Sequence, residues 1–327
     1  MTPSDTNGSV CRMTLNEQQR WNADLIPDLT GRVFVVTGAN SGLGLATARE
    51  LARHGGHVVL AVRDERRGRA AAEALTREVS GARLDVRRLD LADLDSVREC
   101  AAKLRADHER IDVLVNNAGV MAPPRTLSAQ GHELQFAVNH LGHFALTGLL
   151  LDRLAAGRDA RVVTVSSLQH RKGRIDLDAL EDGDSVRRYS PMGSYNRSKL
   201  ANAVFGHQLH QRLTAAGSPV RSLLAHPGYT ATNLQNETPV AVVRLVFGRV
   251  LGPLLAQAPQ AGALPQLYAA TAPDVEGGAF IGPDGRGELR GAPTRVALAP
   301  AAADPETGRR LWELSETLTG VRFAPLS

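Results

Sequence analysis

The sequence predicts an α/β fold, a doubly wound parallel sheet of about seven strands with helices on both faces. Three observations carry this expectation. Short β-branched runs alternate with longer helical patterns from residue 32 onward. A glycine-rich turn joins the first strand directly to its helix. No internal repeat or second-domain boundary interrupts the alternation, so residues 21–327 read as a single domain behind a polar arm, 1–20, rich in Ser, Thr, Asn and Gln and expected to be mobile.

The elements follow in order. "RVFVVTG" (32–38) is the first strand, and "LATARELARHG" continues as its helix. "HVVLAVR" (57–63) precedes an Ala-rich helix over 66–79, and "RLDVRRLDL" (83–91) precedes a helix over 95–107. "IDVLVNNAG" (111–119) leads to a helical stretch near 131–156. "ARVVTVSS" (160–167) is followed by a polar connection and a helix from about 194 to 215. "VRSLLAHPG" (220–228) is the sixth strand and "GAFIG" (278–282) the seventh. Strands of four to seven apolar residues spaced by helices are covered on both faces, and right-handed crossovers then wind the sheet in both directions. Two insertions stand out, 168–193 and 229–257.

Composition narrows the function. Hydrophobic content of 43% and charged content of 22% are those of a globular protein with a sizeable core. The net charge is +4, but basic residues are scattered among acids, as in "RDERRGR", which argues against nucleic-acid binding. Cys11 and Cys100 are far apart and lack metal-ligand spacing, so neither a disulfide framework nor a metal site is expected. The N-terminus has no apolar signal core and no run is long enough to span a membrane, which places the expected location in the cytoplasm.

"TGANSGLG" (37–44) sits between the first strand and its helix. Gly38, Gly42 and Gly44 let backbone approach a ligand, while the helix start offers unpaired N–H groups and a positive dipole end to a pyrophosphate. With strand before and helix after, Gly38, Asn40, Ser41, Gly42, Leu43 and Gly44 read as a dinucleotide cradle. An NAD site carries an acid at the end of the second strand; here that strand ends Val62–Arg63, and the guanidinium of Arg63 suits a 2′-phosphate. The expected cofactor is NADP(H), with NAD(H) as the alternative. Asp64 stands close enough in sequence to reach a ribose, and Arg63 as a plain surface arginine is the competing reading.

Five motifs occur in one order: "TGANSGLG", "NNAG" (116–119), "VSS" (165–167), "YNRSK" (195–199) and "HPG" (226–228). In this order the chain resembles the short-chain dehydrogenases/reductases, from about residue 30 to 320, and so a Rossmann-like sheet. "FAVNHLGHF" (136–144), the long Ser-to-Tyr gap, "SKLANAVF" and "GPDGRGELRG" resemble its retinol-dehydrogenase-like and protochlorophyllide-reductase-like branch. The resemblance implies interconversion of carbonyls and alcohols with NADP(H), often on apolar substrates. It further implies cofactor contacts at Asp90 and Leu91 after the third strand, and at Asn117, Ala118 and Gly119 after the fourth. Pro227 and Gly228 would form the turn under the nicotinamide, and Thr232 would contact its carboxamide. Asp90 reads equally as a helix N-terminal acid.

The chemistry can also be argued from residue types. Hydride transfer to a carbonyl requires a proton donor, and the Tyr195 phenol has an ordinary pKa near ~10. Lys199 is one of only three lysines among 38 basic residues. It lies four residues on, hence on the same helical face, where its charge is expected to lower that pKa and its slim ammonium can reach the nicotinamide ribose. An ordinary i,i+4 surface pair is the bland alternative. Ser167 ends the fifth strand, where it can hydrogen-bond the substrate oxygen; Ser166 competes, but strand alternation lets only one face the site, and the family pattern favours Ser167. Asn139 is expected mid-helix, where a buried amide must be satisfied. The resemblance gives it a water-mediated proton relay to Lys199, with a helix–helix hydrogen bond as the alternative. His140 and His143 read as packing or surface residues.

"TPVAVVRLVFGRVLGPLLAQAP" (238–259) is apolar and reads first as a lid over an apolar substrate, with peripheral membrane contact or a subunit interface as alternatives. Leu168, Gln169, Tyr189, Met192 and Tyr229 are candidate wall residues. A homo-oligomer through the helices starting near 131 and 194 is the family expectation. Two other function classes compete with a carbonyl reductase or alcohol dehydrogenase: a non-catalytic NADP(H)-binding regulator and a double-bond reductase of the protochlorophyllide-reductase type. The complete set Asn139, Ser167, Tyr195 and Lys199 argues for catalysis on carbonyls or alcohols.

Overall fold

The computed structural model describes residues 20–181, 184–230 and 257–323. Its strands form one sheet in the order β3-β2-β1-β4-β5-β6-β7-β8. β1 (Val33–Thr37), β2 (His57–Val62), β4 (Val113–Asn116), β5 (Arg161–Val165) and β6 (Arg221–Ala225) are parallel and almost wholly buried. Their Val- and Leu-rich runs suit that burial, because helices cover both faces. β3 (Arg83–Arg88) has a polar sequence because it is an edge strand that is buried only in part.

The sheet has an eighth strand beyond the seven expected. β7 (Phe280–Pro283) pairs antiparallel with β8 (Pro293–Arg295), which closes the other edge. Three residues containing a proline carry no periodic signal, and proline is tolerated there because the strand is an edge.

Helices α1 (Gly42–Arg53), α2 (Glu65–Glu78) and α3 (Leu94–Asp107) follow the first three strands. The stretch expected as one helix near 131–156 is broken. α4 (Leu134–Phe136) runs into a π-helical turn, Ala137–Leu141, and then into α5 (Gly142–Leu149) and α6 (Leu151–Ala155). The π turn is centred on Asn139, whose carbonyl is engaged by the His143 ring at 3.0 Å. Side-chain groups entering the helical ladder are a recognised cause of such turns.

The 168–193 insertion opens with a 3₁₀ turn, Leu168–Lys172, followed by α7 (Leu177–Glu181) and α8 (Asp184–Arg187). α9 (Pro191–Ala215) is the longest described helix. α10 (Pro259–Thr271) packs against α1, and α11 (Pro305–Thr319) against α5 and α9. Trp312 of α11 joins Phe144, Phe205 and Phe323, with ring centroids 5.2, 6.0 and 4.6 Å away, and the Arg212 guanidinium sits 4.4 Å above its ring. The C-terminal helix therefore covers part of the α5 and α9 surface from which subunit contacts were expected.

Two cores lie on opposite faces of the sheet. One is built from Phe34, Val36, Leu51, Leu60 and Leu267, the other from Val35, Leu104, Leu114, Phe144 and Phe205. β1 has neighbours β2 and β4 on its two sides, so the chain departs in opposite directions after β1 and β4 and leaves a crevice at their carboxyl ends.

Candidate active site

That crevice is a cavity of about 230 Å³. Its floor is the glycine turn, residues 38 and 40–44, and its far wall is Asn117, Ala118 and Gly119. Gly38 and Gly42 hold φ of +69° and +55°, which L side chains avoid. A Cβ on Gly44 would lie 2.5 Å from the Gly38 carbonyl oxygen and 2.6 Å from the Asn117 amide nitrogen. α1 therefore packs against the turn only because position 44 has no side chain. Ser41 caps α1 without a side-chain hydrogen bond, so the N–H groups of the first turn face the cavity with no cap.

Arg63 lines the same cavity, joined by Arg67 and by Asp90 and Leu91. Among the described residues neither arginine forms a salt bridge. Asp64 lines the cavity too, and its carboxylate accepts the Arg67 N–H at 3.1 Å through one oxygen and caps α2, a bond that holds it below the usual carboxylate range. Asp90 accepts the Ala92 N–H at 3.0 Å in a local turn, while Asp93 caps α3.

A polar hub lies under the cavity. Thr37 Oγ1 accepts the N–H groups of Asn117 and Ala118, both at 2.9 Å, and lies 2.9 Å from His143 Nε2. Asn117 donates to the Thr37 carbonyl at 2.7 Å and accepts from Gln266 of α10 at 3.2 Å. His143 is fully buried, which pushes its pKa down to about 4 and keeps it neutral. Nδ1 can only donate to the Asn139 carbonyl, so Nε2 accepts from Thr37. The ring thus ties the π turn to the end of β1. The sequence gives no sign of Thr37 and Gln266 as parts of the hub, and it presents His143 as a packing or surface residue. Its i,i+4 spacing from Asn139 is the one signal that pointed here.

Asn139, Ser167, Tyr195 and Lys199 are brought together. Asn139 donates to the Val120 carbonyl at 3.0 Å and to Ser198 at 2.9 Å, and accepts the Val120 N–H at 2.8 Å. This matches the helix-tying reading of its side chain. Ser166 and Ser167 point apart, as alternation requires. Ser166 donates to the Lys199 carbonyl at 2.8 Å, whereas the Ser167 hydroxyl acts on Tyr195, working against the rise in its pKa. Ser167 also accepts the Gln169 N–H at 3.2 Å and so caps the 3₁₀ turn.

Tyr195 and Lys199 lie in the first turns of α9, which Ser190 caps and Pro191 begins. Lys199 Nζ is 6.0 Å from the Tyr195 ring centroid and donates to the Val165 carbonyl at the end of β5 at 3.0 Å. Burial pushes Lys199 down to about 8. The expected lowering of Tyr195 by Lys199 is not what this arrangement gives. Burial raises the Tyr195 pKa, and the Ser167 hydrogen bond works against the rise. The phenol is thus held in its proton-bearing form. Gly119 joins the two halves of the site, since a Cβ there would lie 3.1 Å from Asn139 Oδ1 and 3.6 Å from Lys199 Nζ.

Pro227 and Gly228 follow β6, at the start of the stretch expected to turn under the nicotinamide. Gly228 has φ +68° and sits under the Leu289 carbonyl, which also accepts the Tyr229 N–H at 2.8 Å. Thr232 and nearly all of the 229–257 and 238–259 segments lie outside the described residues. Leu168 and Gln169 are half-buried beside Ser167, and Met192 is 44% exposed. The Tyr189 hydroxyl is consumed internally: it donates to the Pro123 carbonyl and accepts from Gln135 at 3.1 Å.

A sequence model of the family described as short chain dehydrogenase matches residues 32–179. Human retinol dehydrogenase 13 is 42% identical over 299 residues, covering 90% of this chain and 86% of its own. Mouse polyprenol dehydrogenase is 41% identical over 302 residues, with the same shares covered. A solved structure of an uncharacterised protein from Mycobacterium paratuberculosis superposes with a TM-score of 0.77 at 45% identity, covering 93% of this chain and 99% of that one.

Proposed function

Because the chain belongs to the short-chain dehydrogenases/reductases, in their retinol-dehydrogenase-like branch, we propose that it interconverts an apolar alcohol and its aldehyde or ketone using NADP(H). The observation that carries this reading is the convergence of the glycine cavity, through Gly119, on Tyr195 and Lys199.

The residues present fit a dinucleotide. Gly44 and Gly119 leave open the space a Cβ would fill, α1 presents uncapped N–H groups, and Arg63 and Arg67 lack salt-bridge partners among the described residues. The glycine turn would hold the pyrophosphate, and Arg63 with Arg67 the 2′-phosphate. Asp90 and Leu91 would flank the adenine, and Asn117 and Ala118 the adjoining ribose. Pro227, Gly228 and Thr232 would border the nicotinamide. When bound, the cofactor supplies or accepts the hydride.

The chain's own groups handle the proton. Tyr195 donates its hydroxyl proton to the carbonyl oxygen during reduction, and burial keeps that proton in place beforehand. Ser167, whose hydroxyl acts on that phenol, holds the substrate oxygen beside it. Lys199 would reach the nicotinamide ribose and would supply positive charge as the phenolate forms. Asn139 fixes the Val120 turn against α9 and keeps Gly119 over Lys199. Leu168, Gln169, Met192 and Tyr229 would border the substrate, with the ring of Tyr189 behind them. The names of the relatives, for retinol and for polyprenol, favour an isoprenoid alcohol or aldehyde.

The test is to titrate NADPH and NADH into the protein by fluorescence, then follow NADPH oxidation with a series of isoprenoid and aliphatic aldehydes. NADPH binding tighter than NADH binding, with turnover of long apolar aldehydes, is expected. Binding of neither dinucleotide would refute the reading.

A further inference from the structure

The geometry points to Glu288 as a positioning residue that clamps the Ser167 turn to the Pro227–Tyr229 turn and so sets the width of the site. This rests on the functional reading given above for those two turns.

Glu288 lies in the connection between β7 and β8, inside the "GPDGRGELRG" stretch and far in sequence from the serine and tyrosine motifs. It is one of three non-glycine residues with positive φ among the described residues, at +57°, and it follows Gly287 at +65°. L residues avoid this conformation, and such positions persist where the surroundings hold them. Here the holders are two side chains. One carboxylate oxygen accepts from Arg171 at 2.6 Å, and the other lies 2.9 Å from His226 Nε2.

The protonation of His226 is fixed by its partners. Nδ1 accepts the Gly228 N–H at 3.2 Å, so the ring proton sits on Nε2 and is donated to Glu288. The ring is fully buried, wedged against Gly282, where a Cβ would lie 2.2 Å away. It packs edge-on to Phe280 at 5.2 Å.

The other arm is built in the same way. Arg171 is in the 3₁₀ turn that Ser167 caps. Its neighbour His170 has Nδ1 2.7 Å from the Ser167 carbonyl, and its Nε2 accepts the Ala299 N–H at 3.3 Å. His170 packs on the same Phe280 ring at 5.2 Å. Two buried histidines of opposite tautomer thus flank one phenylalanine, each holding one turn of the site. Glu288, with side-chain exposure of 24%, is the charged link between the arms. The next residue completes the clamp, as the Leu289 carbonyl accepts the Tyr229 N–H at 2.8 Å.

A residue of this kind acts on the rate of the chemical step more than on substrate affinity, because it controls where Ser167 stands relative to the cofactor side. A misplacement of about 1 Å at such a site costs on the order of 10- to 100-fold in rate.

The experiment compares full-length wild type with Glu288→Ala, Glu288→Gln, Arg171→Ala and the double variant Arg171→Ala/Glu288→Ala. Hydrogen exchange is read first, without any ligand. Glu288→Ala should speed exchange in both 167–173 and 226–230, segments that touch Glu288 only through its side chain and its neighbour. Exchange that speeds up only within 284–292 overturns the proposal, whether or not the protein turns over any substrate. Kinetics follow, with kcat expressed per NADPH-binding site so that misfolded protein does not count. Glu288→Ala should lower kcat about tenfold with aldehyde KM within about threefold, and Glu288→Gln, which keeps the His226 bond, should recover part of that loss. The double variant should be no worse than the worse single one. An unchanged kcat per site in Glu288→Ala overturns the proposal while leaving the dehydrogenase reading intact. A wild type that binds no dinucleotide refutes that reading by itself, and the exchange result still decides the clamp.

Discussion

Replacing Arg63 with alanine isolates the cofactor preference. Arg63 is exposed at the rim of the cavity and has no salt-bridge partner among the described residues, so its loss orphans no buried acid. A charge-assisted contact to a phosphate contributes about 1.5–3 kcal/mol, and exposure discounts this to roughly 1–2 kcal/mol. The KM for NADPH should therefore rise roughly 5- to 30-fold, while that for NADH, which lacks the 2′-phosphate, should stay within about twofold. Arg67 lines the same wall, so Arg63→Ala/Arg67→Ala should lose more than the single variant. The assay is initial rates with each cofactor at a fixed saturating aldehyde. Equal changes for NADPH and NADH would refute the assignment of Arg63 to the 2′-phosphate.

Other outcomes follow from the same geometry. Gly44→Ala sets a Cβ 2.5 Å from a backbone oxygen that cannot give way, so thermal melting should drop sharply and NADPH binding should vanish. Gly119→Ala is milder, with its nearest atom at 3.1 Å; the protein should fold with a near-normal melting temperature and lose about tenfold in kcat as Asn139 and Lys199 shift. His140, His143 and His226 are buried and neutral, with pKa values pushed down to about 3, 4 and 4. The unfolded chain binds these protons more readily, so stability is lost as pH falls below about 6.5, by roughly 1–2 kcal/mol per histidine at pH 5. Urea melts at pH 7 and pH 5 would measure this, and equal midpoints would contradict it.

The parts of the site that could be read from the sequence are those held by local rules. The glycine turn, the strand-end serine and the Tyr195–Lys199 pair each follow from strand alternation, helix spacing or the demand for a missing Cβ. Alternation also requires Ser166 and Ser167 to point apart, with Ser166 turned to the Lys199 carbonyl, but the choice of Ser167 comes from the family pattern. What escaped depends on partners far apart in sequence. Gln266 braces Asn117 across 149 residues, and Glu288 meets His226 across 62. No periodicity links such pairs; only the folded sheet brings them together. β8 escaped because three residues are too short to show alternation, and the π turn because apolar spacing in "FAVNHLGHF" satisfies a continuous helix equally well. The electrostatic expectation for Tyr195 erred for a different reason. Helical spacing told how near Lys199 would be, but not that Tyr195 would be buried, which raises its pKa.

The central claim is that Tyr195 is the proton donor of a carbonyl reduction, and Tyr195→Phe tests it most directly. Tyr195 is buried beside Ser167, so removing one hydroxyl oxygen leaves the packing of α9 nearly unchanged. The variant should bind NADPH with wild-type affinity yet oxidise it at least about 100-fold more slowly with the best aldehyde, the usual scale for losing a general acid. Turnover equal to that of the wild type would contradict the account.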